Sequence, residues 1–237
     1  MKKKIMASLL VGSAVICASL APLSAQAVTT GNTPVTVGFE GGSLPDGDGG
    51  TENTVRPDPG ATNSNFDLLF IPREFNFGKL SLSDDLTNPI NKIHTGSISP
   101  REAVGVGDVR GTKEGWHLTA QSNGLSLESE KLAGNITIGR IDTRVVRFSA
   151  ANNTYSSYSV VAADSPTAPQ LPTSEQLVLD LEGDAKVLAN ASSGRGQGLW
   201  SFFMYDMTLN LTTPYQQIKA GAYTGTVTWN LVAGPSV

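Results

Sequence analysis

The chain has 237 residues, with 17 Lys+Arg against 21 Asp+Glu for a formal charge of −4, and a single cysteine. An acidic chain with no basic stripe is a poor partner for nucleic acid or an anionic membrane. One cysteine supports neither a disulfide framework nor a cysteine-based metal site.

Lys2, Lys3 and Lys4 precede an apolar run from Ile5 to Leu20, then Pro22 and the small-residue pattern Ala25-Gln26-Ala27. This is the pattern of a secretory signal peptide over 1–27, cut after Ala27. Pro22 and the shortness of the run argue against a membrane anchor, and Ile16 before Cys17 argues against a lipoprotein signal. Cleavage would remove the only cysteine and leave 14 basic residues against 21 acids, a formal charge of −7. No second apolar segment, C-terminal hydrophobic stop or sorting signal follows, so residence on a cell surface would have to be non-covalent.

Residues 28–237 are expected to form one all-β domain, an antiparallel β-sandwich. Alternation of apolar and polar residues marks half-buried strands at Val35–Val37, Gly134–Ile138, Gln176–Leu181, Met207–Leu211 and Tyr223–Leu231. Long amphipathic helical stretches are absent, and Gly, Pro and Asn turns separate the alternating runs. Gly41–Asn65, rich in Gly, Pro and Asp, reads as a spacer, and the proline-bearing stretch Ala162–Thr173 reads as a loop. Some two hundred residues bury roughly 70% of their unfolded surface, which suffices without a disulfide.

Catalytic signals are thin, and no cofactor or metal site is expected. His94 and His117 are the only histidines, and neither accompanies a nucleophile motif. Asp46-Gly47-Asp48-Gly49 opens like a calcium loop but lacks its later ligands, and Glu52 arrives too early. Asp180, Glu182 and Asp184 could pair as in glycosidases, yet acids at the polar end of a strand entering a turn explain them equally well. Gly194-Arg195-Gly196-Gln197-Gly198 lacks the ending of a phosphate loop and reads as a glycine turn.

Two phrases stand out instead: Gly115-Trp116-His117-Leu118-Thr119 and Thr228-Trp229-Asn230-Leu231-Val232. Two of the three tryptophans of the chain occur in this frame. On a strand, Trp116 shares a face with Leu118, and Trp229 with Leu231, while His117 and Asn230 point the other way. The indoles either pack in the core or stack on a ligand such as a sugar ring, with Asn230, Thr228 and Gln121 supplying hydrogen bonds; the residues alone leave both readings open. Trp200, in Leu199-Trp200-Ser201-Phe202-Phe203, reads as core.

In this order and context the motifs carry a resemblance. A signal peptide, a segment ending Phe39-Glu40-Gly41-Gly42, and a spacer with Arg56-Pro57-Asp58-Pro59-Gly60 come first. Then follow the aromatic phrase Phe70–Gly78, an Asp108-Val109-Arg110-Gly111 turn before Gly115-Trp116-His117-Leu118, and the terminal Tyr223–Leu231. The whole chain resembles the WxL-domain surface proteins of low-GC Gram-positive bacteria, departing in its tail, where Val232-Ala233-Gly234-Pro235 replaces an acidic ending. The resemblance implies a non-enzymatic cell-surface protein attached non-covalently to peptidoglycan through Trp116, Leu118, Trp229, Leu231, Asn230 and Tyr223. It also implies a membrane-tethered protein partner. A surface-assembly role, with docking of that partner primary and wall contact secondary, is the alternative.

Overall fold

A computed structural model describes residues 32–47, 53–58, 64–94, 101–173 and 176–236. The expected signal peptide lies outside the described residues. The chain divides into two units, Met1–Gly38 and Phe39–Val237. Of the first, residues 32–38 are exposed and carry no strand, with Val35 90% and Val37 77% accessible. The strand expected at Val35–Val37 is therefore not formed. An alternating pattern makes a strand only where a neighbour completes the ladder, and none does among the described residues.

The second unit is all-β. Its strands are β1 (Thr54–Val55), β2 (Phe66–Pro72), β3 (Ile90–Asn91), β4 (Glu102–Asp108), β5 (Trp116–Ser122), β6 (Leu125–Leu127) and β7 (Glu130–Leu132). There follow β8 (Gly134–Ser149), β9 (Thr154–Ser159), β10 (Leu177–Asp180), β11 (Lys186–Ala191), β12 (Gly198–Leu211) and β13 (Val227–Ala233). A large antiparallel sheet runs β1-β2-β4-β12-β8-β10, with β3 added to β12 and β9 to β8. A smaller sheet, β11-β5-β13, packs on it, and β6-β7 form a hairpin. The arrangement is an antiparallel sandwich.

The main core lies between the sheets. Trp200, Phe202 and Met204 of β12 meet Trp116, Leu118 and Ala120 of β5 and Leu188 of β11. A second core covers the opposite face of the large sheet, where Phe203, Ala103, Phe70, Val146 and Tyr155 gather. Strand β4 is buried along its whole length, because both of its faces are covered. Its small residues make this possible. A Cβ on Gly105 would sit 2.5 Å from the Phe70 ring, and one on Gly107 would sit 2.5 Å from Leu44.

The two longest strands share a kink. Register between β12 and β8 is unbroken from Trp200↔Val145 to Leu211↔Gly134, yet the inward residues change parity. In β12 they pass from Trp200, Phe202 and Met204 to Met207 and Leu209, and in β8 from Ile141 to Ile138 and Ile136. Asp206, at φ +52°, lies at the switch. Both strands turn over at one level, which curls the sheet around its core without a slip in pairing.

The spacer is less free than its composition predicts. Gly42 N–H donates to Val109 O at 2.9 Å and Leu44 N–H to Ser64 O at 3.0 Å, and Leu44 is 4% exposed. The Tyr155 hydroxyl donates to the Pro45 carbonyl, and Thr54–Val55 pairs with β2. One buried leucine and a set of backbone hydrogen bonds strap a polar segment onto the second core, a device that composition does not register. Residues 48–52 and 59–63 of the spacer lie outside the described residues. Near β1, Lys92 Nζ and Glu102 Oε1 form a 2.6 Å ion pair with both side chains 2% exposed. Asn53 Nδ2 donates to the same oxygen at 2.6 Å.

Candidate functional site

Strands β5 and β13 carry the two repeated phrases, and the fold makes them antiparallel neighbours. Ala233 pairs with Trp116, Leu231 with Leu118 and Trp229 with Ala120. The two leucines therefore face each other at the centre. The indoles lie on opposite sides of that leucine pair, about 13 Å apart along the strands at the usual rise. A sequence repeat has become an approximate two-fold arrangement in space.

All four motif side chains point inward, as the period of two requires. Trp116 and Leu118 are fully buried, Trp229 is 9% exposed, and Leu231 is half-buried against the same core. Trp116 Nε1–H donates to the Gly196 carbonyl at 3.0 Å, and its ring meets Phe202 edge-on at 6.1 Å. Of the two readings open for the indoles, Trp116 takes the core one here: it has no surface to offer a ligand. Trp229 stands differently. Its ring meets Phe75 edge-on at 6.4 Å and forms part of the wall of a groove of about 280 Å3 between β13 and the end of β2.

The approach to Trp116 is built by the Asp108–Gly111 turn. Arg110 donates from Nε and Nη2 to Asp108 at 2.9 and 2.8 Å, pairs with Glu114, and lies 3.8 Å from the Phe66 ring. The hydrogen bonds it donates to Asp108 raise the already high pKa of its guanidinium, so the charge is permanent. Arg110 also donates to the Gly115 carbonyl at 3.1 Å. Gly115 has φ +84°, and a Cβ there would lie 2.2 Å from Ala191 O. Only glycine fits the residue before Trp116.

Facing out from the same strands is a face without formal charge. His117, Thr119 and Gln121 of β5 lie beside Val232, Asn230 and Thr228 of β13. Asn190 and Val187 of β11 extend the rows on the other side. The His117 side chain is not the solvent-facing imidazole its position suggested. It is half-buried, and Nδ1–H donates to the Gly234 carbonyl at 2.9 Å. Gly234 N–H returns to Gly115 O at 3.0 Å, and Ser236 N–H donates to Asn190 Oδ1 at 3.0 Å. The chain after the second motif is thus tied to the strand of the first. Asn230 and Thr228 are exposed, and their side chains make no hydrogen bond among the described residues.

Tyr223 is not part of this face. The expected strand Tyr223–Leu231 begins only at Val227, and Thr224 is bridged instead to Ser126 of the hairpin. At Gly225 the chain passes so close to Gly124 that an added Cβ would lie 1.7 Å from its carbonyl oxygen, so only glycine fits there. Sequence reasoning missed β11 altogether. The register shift between Val187 and Ala189 buries both Leu188 and Ala189, which erases the alternation that would have marked a strand.

Groups considered for catalysis or metal binding are dispersed. Asp180 pairs with Lys186 at 3.6 Å and Glu182 with Lys131 at 2.5 Å, and Glu182 has φ +58°, so the acidic row is broken by a turn. Asp46 pairs with Arg56 at 2.7 Å, while Asp48 and Gly49 lie outside the described residues. Gly194, Gly196 and Gly198 all have positive φ, a glycine turn whose Gly196 carbonyl holds Trp116. Among the described residues no group of three or more His, Cys, Asp or Glu is placed to hold a metal, and no helix is long and apolar enough to cross a membrane.

A family model for the WxL domain, described as surface cell wall-binding, matches residues 26–235. The chain belongs to the WxL family. Neither the curated proteins nor the solved structures give a match. Membership makes this a protein of a cell-surface, wall-binding class that is not an enzyme family. The two Trp-x-Leu phrases that suggested it are adjacent strands of one small sheet.

Proposed function

We propose that the WxL domain attaches non-covalently to peptidoglycan through the outer face of β5 and β13, with the motif Trp and Leu residues holding that face from behind. The observation that carries this reading is the in-register pairing of the two motif strands, which turns Trp116, Leu118, Trp229 and Leu231 inward and sets Thr119, Gln121, Thr228 and Asn230 side by side outward. Glycan chains offer hydroxyl and acetamido groups but little charge. An uncharged face with free Asn and Thr groups matches that chemistry, and it needs no help from the net charge of the protein. Trp229 contributes at the rim, where its indole borders the groove.

The test is co-sedimentation of the mature protein with peptidoglycan stripped of proteins and accessory polymers. Thr119→Glu with Asn230→Glu puts two carboxylates on the proposed face and should abolish retention while leaving the circular dichroism spectrum unchanged. Retention equal to the parent would remove the face from the wall contact. If the parent itself is not retained, a membrane-tethered protein partner becomes the ligand of choice and the wall is secondary.

A further inference from the structure

One segment of the chain is built like a strand and pairs with no strand among the described residues. Thr33-Pro34-Val35-Thr36-Val37-Gly38-Phe39 places Val35, Val37 and Phe39 at alternate positions, and these are 90%, 77% and 93% exposed. Large apolar side chains so fully accessible, in one period-2 row, mark a surface that association would cover. No charged residue interrupts the row from Asn32 to Phe39. Edge strands that avoid association usually carry Lys, Pro or inward charge, and apart from Pro34 at its start this segment has none.

The same chain holds an edge of matching kind. Among the described residues strand β13 pairs with β5 alone, so the opposite edge of its seven residues carries no described partner. Its sequence, Val227–Ala233, contains neither proline nor charge. Beside it opens the 280 Å3 groove, whose apolar lining includes Ile71, Phe75, Ile136, Val227 and Trp229. A strand added to this edge would send alternate side chains toward the same side as Trp229, into the groove, and the others toward the outer face.

We propose that Thr33–Phe39 of one copy adds as a strand to the free edge of β13 in a second copy, with Val35, Val37 and Phe39 facing the groove. Donor and acceptor are both seven residues long, and each copy carries one of each. Because each copy carries one donor and one acceptor, the contact closes where two copies exchange segments and otherwise propagates head to tail. Backbone hydrogen bonds supply affinity, and the apolar row supplies register.

The mature chain, free of Cys17, permits a direct test by single cysteines. Thr36→Cys and Asn230→Cys proteins are purified separately, mixed and oxidised; both positions belong to the outer side of the added strand and of β13. Mixed disulfide dimers should form about tenfold faster than between Thr36→Cys and the exposed Ser83→Cys, because docking raises the effective concentration. Adding Val35→Asp and Val37→Asp to the Thr36→Cys chain, in an exposed segment whose change leaves the domain folded, should return the rate to that control. A single chain with both cysteines should give intermolecular disulfides, as linked dimers or a ladder of larger oligomers. Equal rates for the Asn230 and Ser83 pairs, or no effect of the aspartates, would overturn the proposal. So would an exclusively intramolecular disulfide in the double-cysteine chain, since the segment would then belong to its own copy.

Discussion

Replacing Trp116 by Phe separates a supporting role for the motif tryptophan from ligand contact. The indole is fully buried, bonded through Nε1–H to Gly196 O and set edge-on to Phe202. Truncation to Ala would cost about 3–5 kcal/mol in lost packing, a large part of the 5–15 kcal/mol that holds a typical domain together. Phe keeps one ring and most of the volume. It leaves the Gly196 carbonyl without its donor, at about 1–3 kcal/mol, so we expect a net loss of about 2–3 kcal/mol and a folded protein. Urea unfolding should show a lower midpoint with the slope unchanged. Wall affinity of the folded Trp116→Phe protein should stay within about twofold of the parent. A folded variant that lost tenfold or more in affinity, about 1.4 kcal/mol, would refute the reasoning and place the indole at the ligand. Asn230→Ala should show the reverse pattern, with stability within about 0.5 kcal/mol of the parent and weakened retention.

Three further perturbations follow from the geometry. Lys92→Met strands the Glu102 carboxylate, 2% exposed, and should cost about 3–5 kcal/mol by thermal or urea unfolding; Lys92→Met with Glu102→Leu should recover most of that loss. Gly115→Ala forces a Cβ to within 2.2 Å of Ala191 O at φ +84°, and should destabilise by more than about 1 kcal/mol and lower wall retention only as far as the folded fraction falls. Desolvation, and then the nearby Lys92 charge, depress the His94 pKa in the folded protein, against an opposing pull from Glu102. The folded state therefore binds fewer protons than the unfolded chain, and stability should fall as pH drops through the ordinary histidine range near 6.5 and on to the depressed value. His94→Gln should flatten that slope in a pH series of urea midpoints.

Much of the sandwich was legible because half-buried strands advertise themselves by period. The alternating runs in Gly134–Ile138, Gln176–Leu181, Met207–Leu211 and the second half of Tyr223–Leu231 fall in β8, β10, β12 and β13. The sidedness of the two Trp-Leu phrases also followed from alternation alone. Strand β4 was invisible for a physical reason: buried on both faces, with Gly105 and Gly107 giving way to Phe70 and Leu44, it has no polar phase to alternate with. The strap at Gly41–Gly47 was hidden because its order comes from one leucine and from backbone groups. At Val35–Val37 the pattern is present and the strand is not, since period reports what a segment can bury and not whether a neighbour is there. The outer face drew no attention as a unit because its members come from strands far apart in the chain, and Asn190 comes from a strand with a broken phase.

The order of the strands also sets when the domain can close. Strand β13 is the last of the described strands, and the hydrogen bond from His117 to Gly234 spans 117 residues. Until those final residues are available, β5 has only β11 for a neighbour and the inner side of Trp229 is missing from the core. Contacts this distant in sequence are slow to form. A growing or shortened chain that stops before Val227 would keep one flank of β5 bare and open to a stray strand. Closure of the sandwich therefore waits on the pairing of β5 with a strand that lies more than a hundred residues further along the chain.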